Sequence, residues 1–337
     1  MAESSRTFIG VDWRNLEGRL TAYFSGDTVL RTALEQELQG GPKVHSVNAA
    51  IIYGIDPADA MTHMVDLQGT LRPAYVAGKR LTHAWNYGMD VGEMARQYWI
   101  SKDEARRIID VLSDAYQGVV AWRRQLADFV FGIPQYKCLR CGYEGTADEI
   151  PRGSLPCPMC KDSTPSWMTP PLLRHIGNLR EPARILYTPF QRRRIYMGRR
   201  GQSENALYAQ LPQSTGASMW YRTLDTLVET IENPGDLFVP DLTSYSKDQP
   251  AVYTGTYDSF LIGVRSTHVE RLVPVVRTVL EWSWEELPLY TPCEDHRAEY
   301  WMRESCNSCE KYTDPTGRSN FYCPTDVEIG DSWGDLQ

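Results

Sequence analysis

Two aspartates, 246 residues apart, stand where strand-like segments end or turn. Asp12 follows Phe8, Ile9 and Val11, and Asp258 centres AVYTGTYDSFLIGVR (251–265), which reads as a β-hairpin. A lone aspartate is usually a turn or cap residue, but a carboxylate among β-branched and aromatic residues is costly unless it has a task. Two such groups could share a pair of Mg²⁺ ions about 3.5–4 Å apart, because Mg²⁺ is hard and takes oxygen ligands. Such a pair activates a hydroxyl on one side and holds a phosphate and its leaving group on the other.

Cationic and ring-bearing residues form a second constellation. Lys79, His83 and Tyr87 are spaced by four, so a helix places them in one stripe. Arg72 lies seven residues before Lys79, two turns back on that face. Basic residues near a helix N-terminus, added to its dipole, make a phosphate cradle. FQRRRIYMGRR (190–200) concentrates Arg192, Arg193, Arg194, Arg199 and Arg200. Such a run is commonly a solvated loop; its functional counterpart is contact with a phosphate backbone.

The 8 cysteines form two groups of four. Cys138-x2-Cys141 and Cys157-x2-Cys160 are separated by 15 residues, the spacing of a zinc ribbon in which four thiolates close a tetrahedral structural site. Cys293, Cys306, Cys309 and Cys323 make a looser set with only one x2 pair; His296 competes as a ligand, and a second Zn²⁺ would fasten a polar tail that burial alone could not.

The elements that must position these groups follow from periodicity. Residues 7–25 read as strand, turn and helix, and GPKVHSVNAAIIYG (41–54) as a short helix ending at Gly54. Arg72-Pro73 reads as a helix start, with the helix running through Tyr87. Ser101 to Glu104 is a capping box opening one long amphipathic helix to Phe129. Pro, Cys and Gly replace helical periodicity over 133–170, an inserted module. Helical signal returns after PQSTG (212–216) and stops at Asn233-Pro234-Gly235; a last helix spans about 268–284 and a polar, Cys-containing tail follows from about 288. With 337 residues, 42% hydrophobic and 23% charged, the chain reads as globular. Its net charge of −8 does not advertise a nucleic-acid binder as a whole. No apolar run is long enough for a membrane span, and MAESSRTF lacks the form of a secretory signal, so a cytoplasmic location is expected, with no membrane partner.

Taken together, the motifs resemble family A DNA polymerases, in the order that family has them, over about residues 7–130 and 185–285. VDWRNLEGRLTAYFSGD (11–27) resembles motif A, KRLTHAWNYGMDVGEMARQ (79–97) the O-helix of motif B, and TYDSFLIGV (256–264) motif C. TPFQRRRIYMG (188–198) and ALYAQLPQSTGAS (206–218) resemble the Arg-rich turn and the helix whose Gln touches the nascent pair. The resemblance implies an α+β fold: an antiparallel palm sheet with helical fingers, the zinc ribbon inserted, and a Cys-containing C-terminal extension. It divides the chain into 1–60, palm with motif A; 61–132, fingers; 133–170, ribbon; 171–287, palm with motif C; and 288–337, extension.

It also implies roles. Asp12 and Asp258 would hold two Mg²⁺, and Lys79 would contact the triphosphate and protonate the leaving pyrophosphate. Glu17, Arg72, His83, Tyr87 and Gln213 would bind the incoming dNTP and nascent pair, while Arg192, Arg193 and Arg194 would bind primer-template DNA. The O-helix Arg expected four residues before Lys79 is Tyr75 here, His83 stands in place of a common aromatic, and Tyr257 and Ser259 replace the usual neighbours of Asp258; these features point to a phage-like member, acting in DNA replication in a host cytoplasm. Single-subunit RNA polymerases share the fold, and their Lys-Arg-x6-Tyr-Gly and Asp-Ser-Phe also fit, but they lack the Glu that excludes a 2′-hydroxyl. An RNA polymerase or primase-like enzyme, and a non-catalytic zinc-stabilised DNA-binding or assembly subunit, are the alternatives. Only eleven residues precede Asp12, so the resemblance leads one to expect one half of a split polymerase, with a second polypeptide supplying the thumb and perhaps an exonuclease.

Overall fold

The computed structural model describes residues 6–138, 141–146, 173–198, 200, 203–232, 250–256, 258–297 and 299–332. β1 (Arg6–Trp13) is an inner strand of a four-stranded antiparallel sheet. The order is β15 (Thr325–Gly330), β1, β10 (Ser259–Arg265) and β9 (Ala251–Thr256). β1 alternates as a half-buried strand should: Ile9, Val11 and Trp13 are buried, and Asp12 points to the opposite face. The register pairs Val11 with Phe260 and Asp12 with Ser259 on one side, and Asp12 with Asp326 on the other. Because side chains alternate with period two, this register puts Asp326 on the face of Asp12, and Asp258 joins them from the turn that precedes Ser259.

The buried face of the sheet carries helices. Trp220 of α8 (Glu204–Glu232) stacks on Phe260 at 5.4 Å, and the Trp13 indole N–H donates to the Leu280 carbonyl (3.0 Å) at the end of α9 (Val269–Leu280). A helical layer follows β1: α1 (Leu16–Ser25), α2 (Thr28–Leu38), α3 (Val44–Tyr53), a hairpin of β2 (Met64–Leu67) and β3 (Thr70–Pro73), then α4 (Ala74–Asn86), α5 (Val91–Tyr98), α6 (Lys102–Ala115) and α7 (Gln117–Phe131). β4 (Ile133–Cys138), β5 (Glu144–Thr146) and β6 (Leu173–Arg180) form a separate three-stranded sheet, and β7 (Ile185–Tyr187) pairs with β8 (Arg193–Ile195). β11 (Trp284–Pro288) pairs with β14 (Asn320–Phe321), and β12 (Tyr290–Thr291) with β13 (Glu310–Lys311). Among the described residues, no helix is long and apolar enough to cross a membrane.

Three expectations are corrected. The long helix opened by Ser101, whose hydroxyl accepts from Glu104 N–H (3.0 Å), breaks at Tyr116 into α6 and α7. Tertiary bonds hold the break: the Tyr116 hydroxyl meets Asn48 Oδ1 (2.5 Å), and Asp27 Oδ2 accepts the Val119 N–H (3.2 Å). α8 starts at Glu204 rather than after Gly216 and runs through Pro212. Leu211 and Thr215 on either side are fully buried, so packing outweighs the proline penalty. The segment after 288 is not merely a polar tail, since β15 completes the central sheet.

Gly78 sets how closely α4 lies on α3: an added Cβ would sit 2.9 Å from Ala49 N and 3.0 Å from its Cα. Gly to Ala in a helix ordinarily gains about 1 kcal/mol. Overpacking against backbone costs about 1–3 kcal/mol. Gly78→Ala is therefore expected to lower unfolding free energy in urea by up to about 2 kcal/mol; a rise would show that α3 and α4 have slack.

Candidate active site

A cleft of about 550 Å³ opens on the acid-bearing face of the sheet, lined among others by Asp12, Glu17, Lys79, His83, Asp258 and Asp326. Asp258 lies in the tight turn between β9 and β10, and its carbonyl accepts the Trp13 N–H (2.9 Å), which ties the turn to the end of β1. The Asp12 carboxyl is pushed up to about 7, first by partial burial at the cleft base and then by Asp258 and Asp326, with Lys79 pulling the other way. Asp258 is raised as well, by burial first and then by Glu17, while Lys79 and His83 lower it. Gathering acids at this cost favours a cation among them.

α4 supplies the wall above the acids. Its stripe faces the cleft as the spacing implies: the His83 Nδ1 lies 3.5 Å from Glu17 Oε2, and the His83 and Tyr87 rings are 5.8 Å apart. Tyr87 donates its hydroxyl hydrogen to Glu17 Oε2, and Gln213 of α8 hydrogen-bonds the same hydroxyl. Glu17, in the first turn of α1, is thus gripped by His83 of α4 and by Tyr87, which caps that helix. Burial lowers His83, with Glu17 opposing and Lys79 reinforcing the shift.

Other expected residues fall elsewhere. Arg72 is on β3, not on the helix, because α4 begins at Ala74; its Nε is buried without a hydrogen-bond partner, and Tyr75 lines the cleft instead. Arg193 and Arg194 are exposed on β8; Arg194 donates to Gln210 of α8 (2.8 Å), and Arg192 lies over the Tyr221 ring at 5.2 Å. Arg200 is spent on Asp128 (2.5 Å) and Glu204 (3.1 Å), and Arg199 lies outside the described residues. Cys138 ends β4, its carbonyl accepting the Gly142 N–H (2.9 Å), and Cys141 is exposed. Cys157, Cys160 and Tyr257 lie outside the described residues.

The second cysteine set changes membership. Cys293, Cys306 and Cys309 gather with His296, all ligand atoms lying within 4.8 Å of one another. Cys323 is excluded, because it is fully buried just before β15 with its sulfur 3.5 Å from the Arg14 carbonyl.

Two cleft residues escaped sequence reasoning. His45 on α3 is buried, its Nδ1 has no hydrogen-bond partner among the described residues, and burial with Lys79 and His83 nearby pushes it down to about 3, so it stays neutral. Nothing but its helical context marked it. Asp326 is paired through Arg14, whose Nε lies 3.1 and 3.2 Å from the two carboxylate oxygens. The alternation Thr-Asp-Val-Glu-Ile (325–329) was the available signal.

No protein-family model matches the chain. Over 129 residues it is 28% identical to DNA polymerase I of Chloroflexus aurantiacus, a stretch covering 38% of this chain and 12% of that protein. Its structure is similar to the POL domain of Pol1 from M. smegmatis, solved in complex with DNA primer-template and dNTP, with a TM-score of 0.60 at 15% identity. That match covers 100% of this chain and 41% of the other, so the chain spans less than half of either relative. The chain has the fold of a DNA polymerase I polymerase domain.

Proposed function

We propose that the chain is the catalytic part of a DNA-templated DNA polymerase, adding dNTPs to a primer 3′ end, in the manner of family A enzymes and in phage DNA replication. The observation that carries this reading is the convergence of Asp12, Asp258, Lys79, His83, Tyr87 and Glu17 on one cleft from β1, the β9–β10 turn, α4 and α1. In this reading the four-stranded sheet is the palm and α4 the fingers helix. The primer-template-bound state of the M. smegmatis neighbour supports DNA and dNTP as ligands.

Asp12 and Asp258 fit Mg²⁺ by donor chemistry: two hard oxygen donors line one cleft, and Asp12 is raised by burial first and by the neighbouring acids after it. Two bound Mg²⁺ would supply activation of the primer hydroxyl and charge neutralisation on the triphosphate. The remaining steps belong to the chain. Lys79 faces the acids from α4, placed to pair with phosphate oxygens and to pass a proton to departing pyrophosphate. Glu17, held by Tyr87 and His83, closes the floor where a 2′-hydroxyl would sit, and Tyr87 with Gln213 borders the nascent base pair. The exposed arginines beside α8 offer the template backbone a sequence-independent contact. A zinc ribbon built on Cys138, Cys141, Cys157 and Cys160 would stabilise the inserted module.

Primer extension on a primed template tests the reading. Asp12→Ala or Asp258→Ala is expected to reduce Mg²⁺-dependent dNTP incorporation by at least roughly 10³-fold, since each removes several kcal/mol of transition-state stabilisation; unaffected incorporation in either variant would falsify the assignment. Glu17→Ala is expected to raise rNTP use relative to dNTP by roughly tenfold or more. Equal use of both sugars by the unaltered chain would favour RNA synthesis instead.

The raised Asp12 value fixes a pH dependence. The folded carboxyl keeps a proton that the unfolded one sheds from 3.8 upward, so metal-free stability from this group falls as pH rises from 3.8 to about 7. Mg²⁺ must displace that proton, so its effect runs the opposite way. The Mg²⁺-induced rise in melting temperature is expected to be larger at about pH 8 than at about pH 6; an equal rise at both would place the ion elsewhere.

A further inference from the structure

The polymerase reading leaves unexplained the segment between β12 and β15. Within it, the Cys293 sulfur lies 3.9 Å from that of Cys306, 3.7 Å from that of Cys309, and 3.2 Å from His296 Nδ1. A tetrahedron with Zn–S of about 2.3 Å and Zn–N of about 2.0 Å has edges of about 3.8 Å and 3.5 Å. The three edges from Cys293 lie within about 0.3 Å of those figures, and all four ligand atoms lie within 4.8 Å of one another. Two backbone N–H groups already point at sulfur, from Cys293 to Cys309 (3.4 Å) and from Ser308 to Cys306 (3.4 Å).

An independent feature calls for negative charge at this place. Arg303 is 1% exposed, and among the described residues its guanidinium donates to carbonyls: His296 (3.3 Å) and Arg297 (2.8 Å) in the segment, Tyr23 (3.1 Å) and Phe24 (2.5 Å) at the end of α1. A buried cation without a counter-charge is expensive. One Zn²⁺ with three thiolates and a neutral imidazole carries a single negative charge, which would balance it. Gly26, the left-handed cap of α1, abuts Pro292, next to the first ligand; a Cβ there would overlap the proline ring.

We infer that Cys293, His296, Cys306 and Cys309 bind one Zn²⁺ in a closed structural site that fastens this segment to the end of α1 and so seats β15 against β1. Four protein ligands leave no position for substrate. The site's effect on the cleft is therefore indirect: α1 carries Glu17, and β15 carries Asp326 opposite Asp12. Cys323, fully buried at the Arg14 carbonyl, takes no part.

Metal analysis of the full chain tests this apart from any polymerase activity. In a Cys138→Ser/Cys141→Ser background, which removes the ribbon site, one zinc per chain is expected to remain and to be lost on adding Cys306→Ser/Cys309→Ser; retention overturns the site. Cobalt substitution reads the ligand set without relying on those variants folding. In the Cys138→Ser/Cys141→Ser background, His296→Cys is expected to keep the metal and raise thiolate-to-cobalt absorption by about one-third, and Cys323→Ser to leave the spectrum unchanged. An unchanged spectrum for His296→Cys, or a weakened one for Cys323→Ser, overturns the ligand assignment. Hydrogen exchange reads the seating: chelation is expected to strip protection from amides 325–330, and undiminished protection overturns that part.

Discussion

Everything in the cleft depends on a pairing that is electrostatically unfavourable. The antiparallel register of β1 with β10 runs from Arg6–Arg265 to Asp12–Ser259, and it brings the Asp258 turn beside Asp12. On the other edge β15 adds Asp326 opposite Asp12. The Asp12 carboxyl is pushed up to about 7, by burial first and by Asp258 and Asp326 after it. The sheet tolerates it because the opposite face is apolar: Ile9, Val11, Trp13, Phe260 and Ile262 are all buried, against Trp220 and the end of α9. A one-residue slip would part Asp12 from Asp326 but would turn that apolar set toward water. Hydrophobic burial thus fixes a geometry that charge alone would refuse, and the residual strain is what makes a cation welcome there.

The wall above the acids is set by a different kind of constraint. α4 must present Lys79 and His83 inward over their whole height, so its distance from α3 cannot drift. Gly78 against Ala49 sets that distance, and the Tyr116 hydroxyl on Asn48, with Asp27 on Val119 N–H, ties α3, α2 and the α6–α7 junction into one support. The break at Tyr116 is therefore the place where the helical layer is bonded to the helices nearest the cleft. Glu17 is then held from α4, through Tyr87 and His83, as well as by its own helix.

Much of this was legible in the sequence wherever the signal was local. Asp12 and Asp258 stood out because charged residues interrupt strand-like runs, and the Lys79–His83–Tyr87 stripe because four-residue spacing has one meaning on a helix. The failures share a cause too. Arg72 was assigned to the helix because Pro73 is a good first-turn residue, yet β2–β3 pairing claims it. Pro212 was read as a boundary because propensity rules cannot see that Leu211 and Thr215 are buried. Asp326 lay hidden in six residues with alternating acids, whose strand character exists only through pairing with β1 more than 300 positions away. His296 and Cys323 were exchanged because sequence spacing ranks a cysteine above a histidine, whereas the fold places Cys323 at the far side, under Arg14.

Those distant pairings also say how the parts depend on one another. β1 is an inner strand, so the sheet is complete only when β10 and β15 have both arrived. β15 reaches it by way of the segment that Arg303 bolts to the carbonyls of Tyr23 and Phe24, and those carbonyls end the helix that begins just after Asp12. The chain from Asp12 through α1 and the chain from Cys293 through β15 therefore form a closed circuit, joined at Arg303 at one end and at the Asp12–Asp326 register at the other. Loosening either joint frees the other, because each fixes the ends of the same two segments. A clamp remote from the cleft can in this way govern the spacing of its carboxylates while touching none of them.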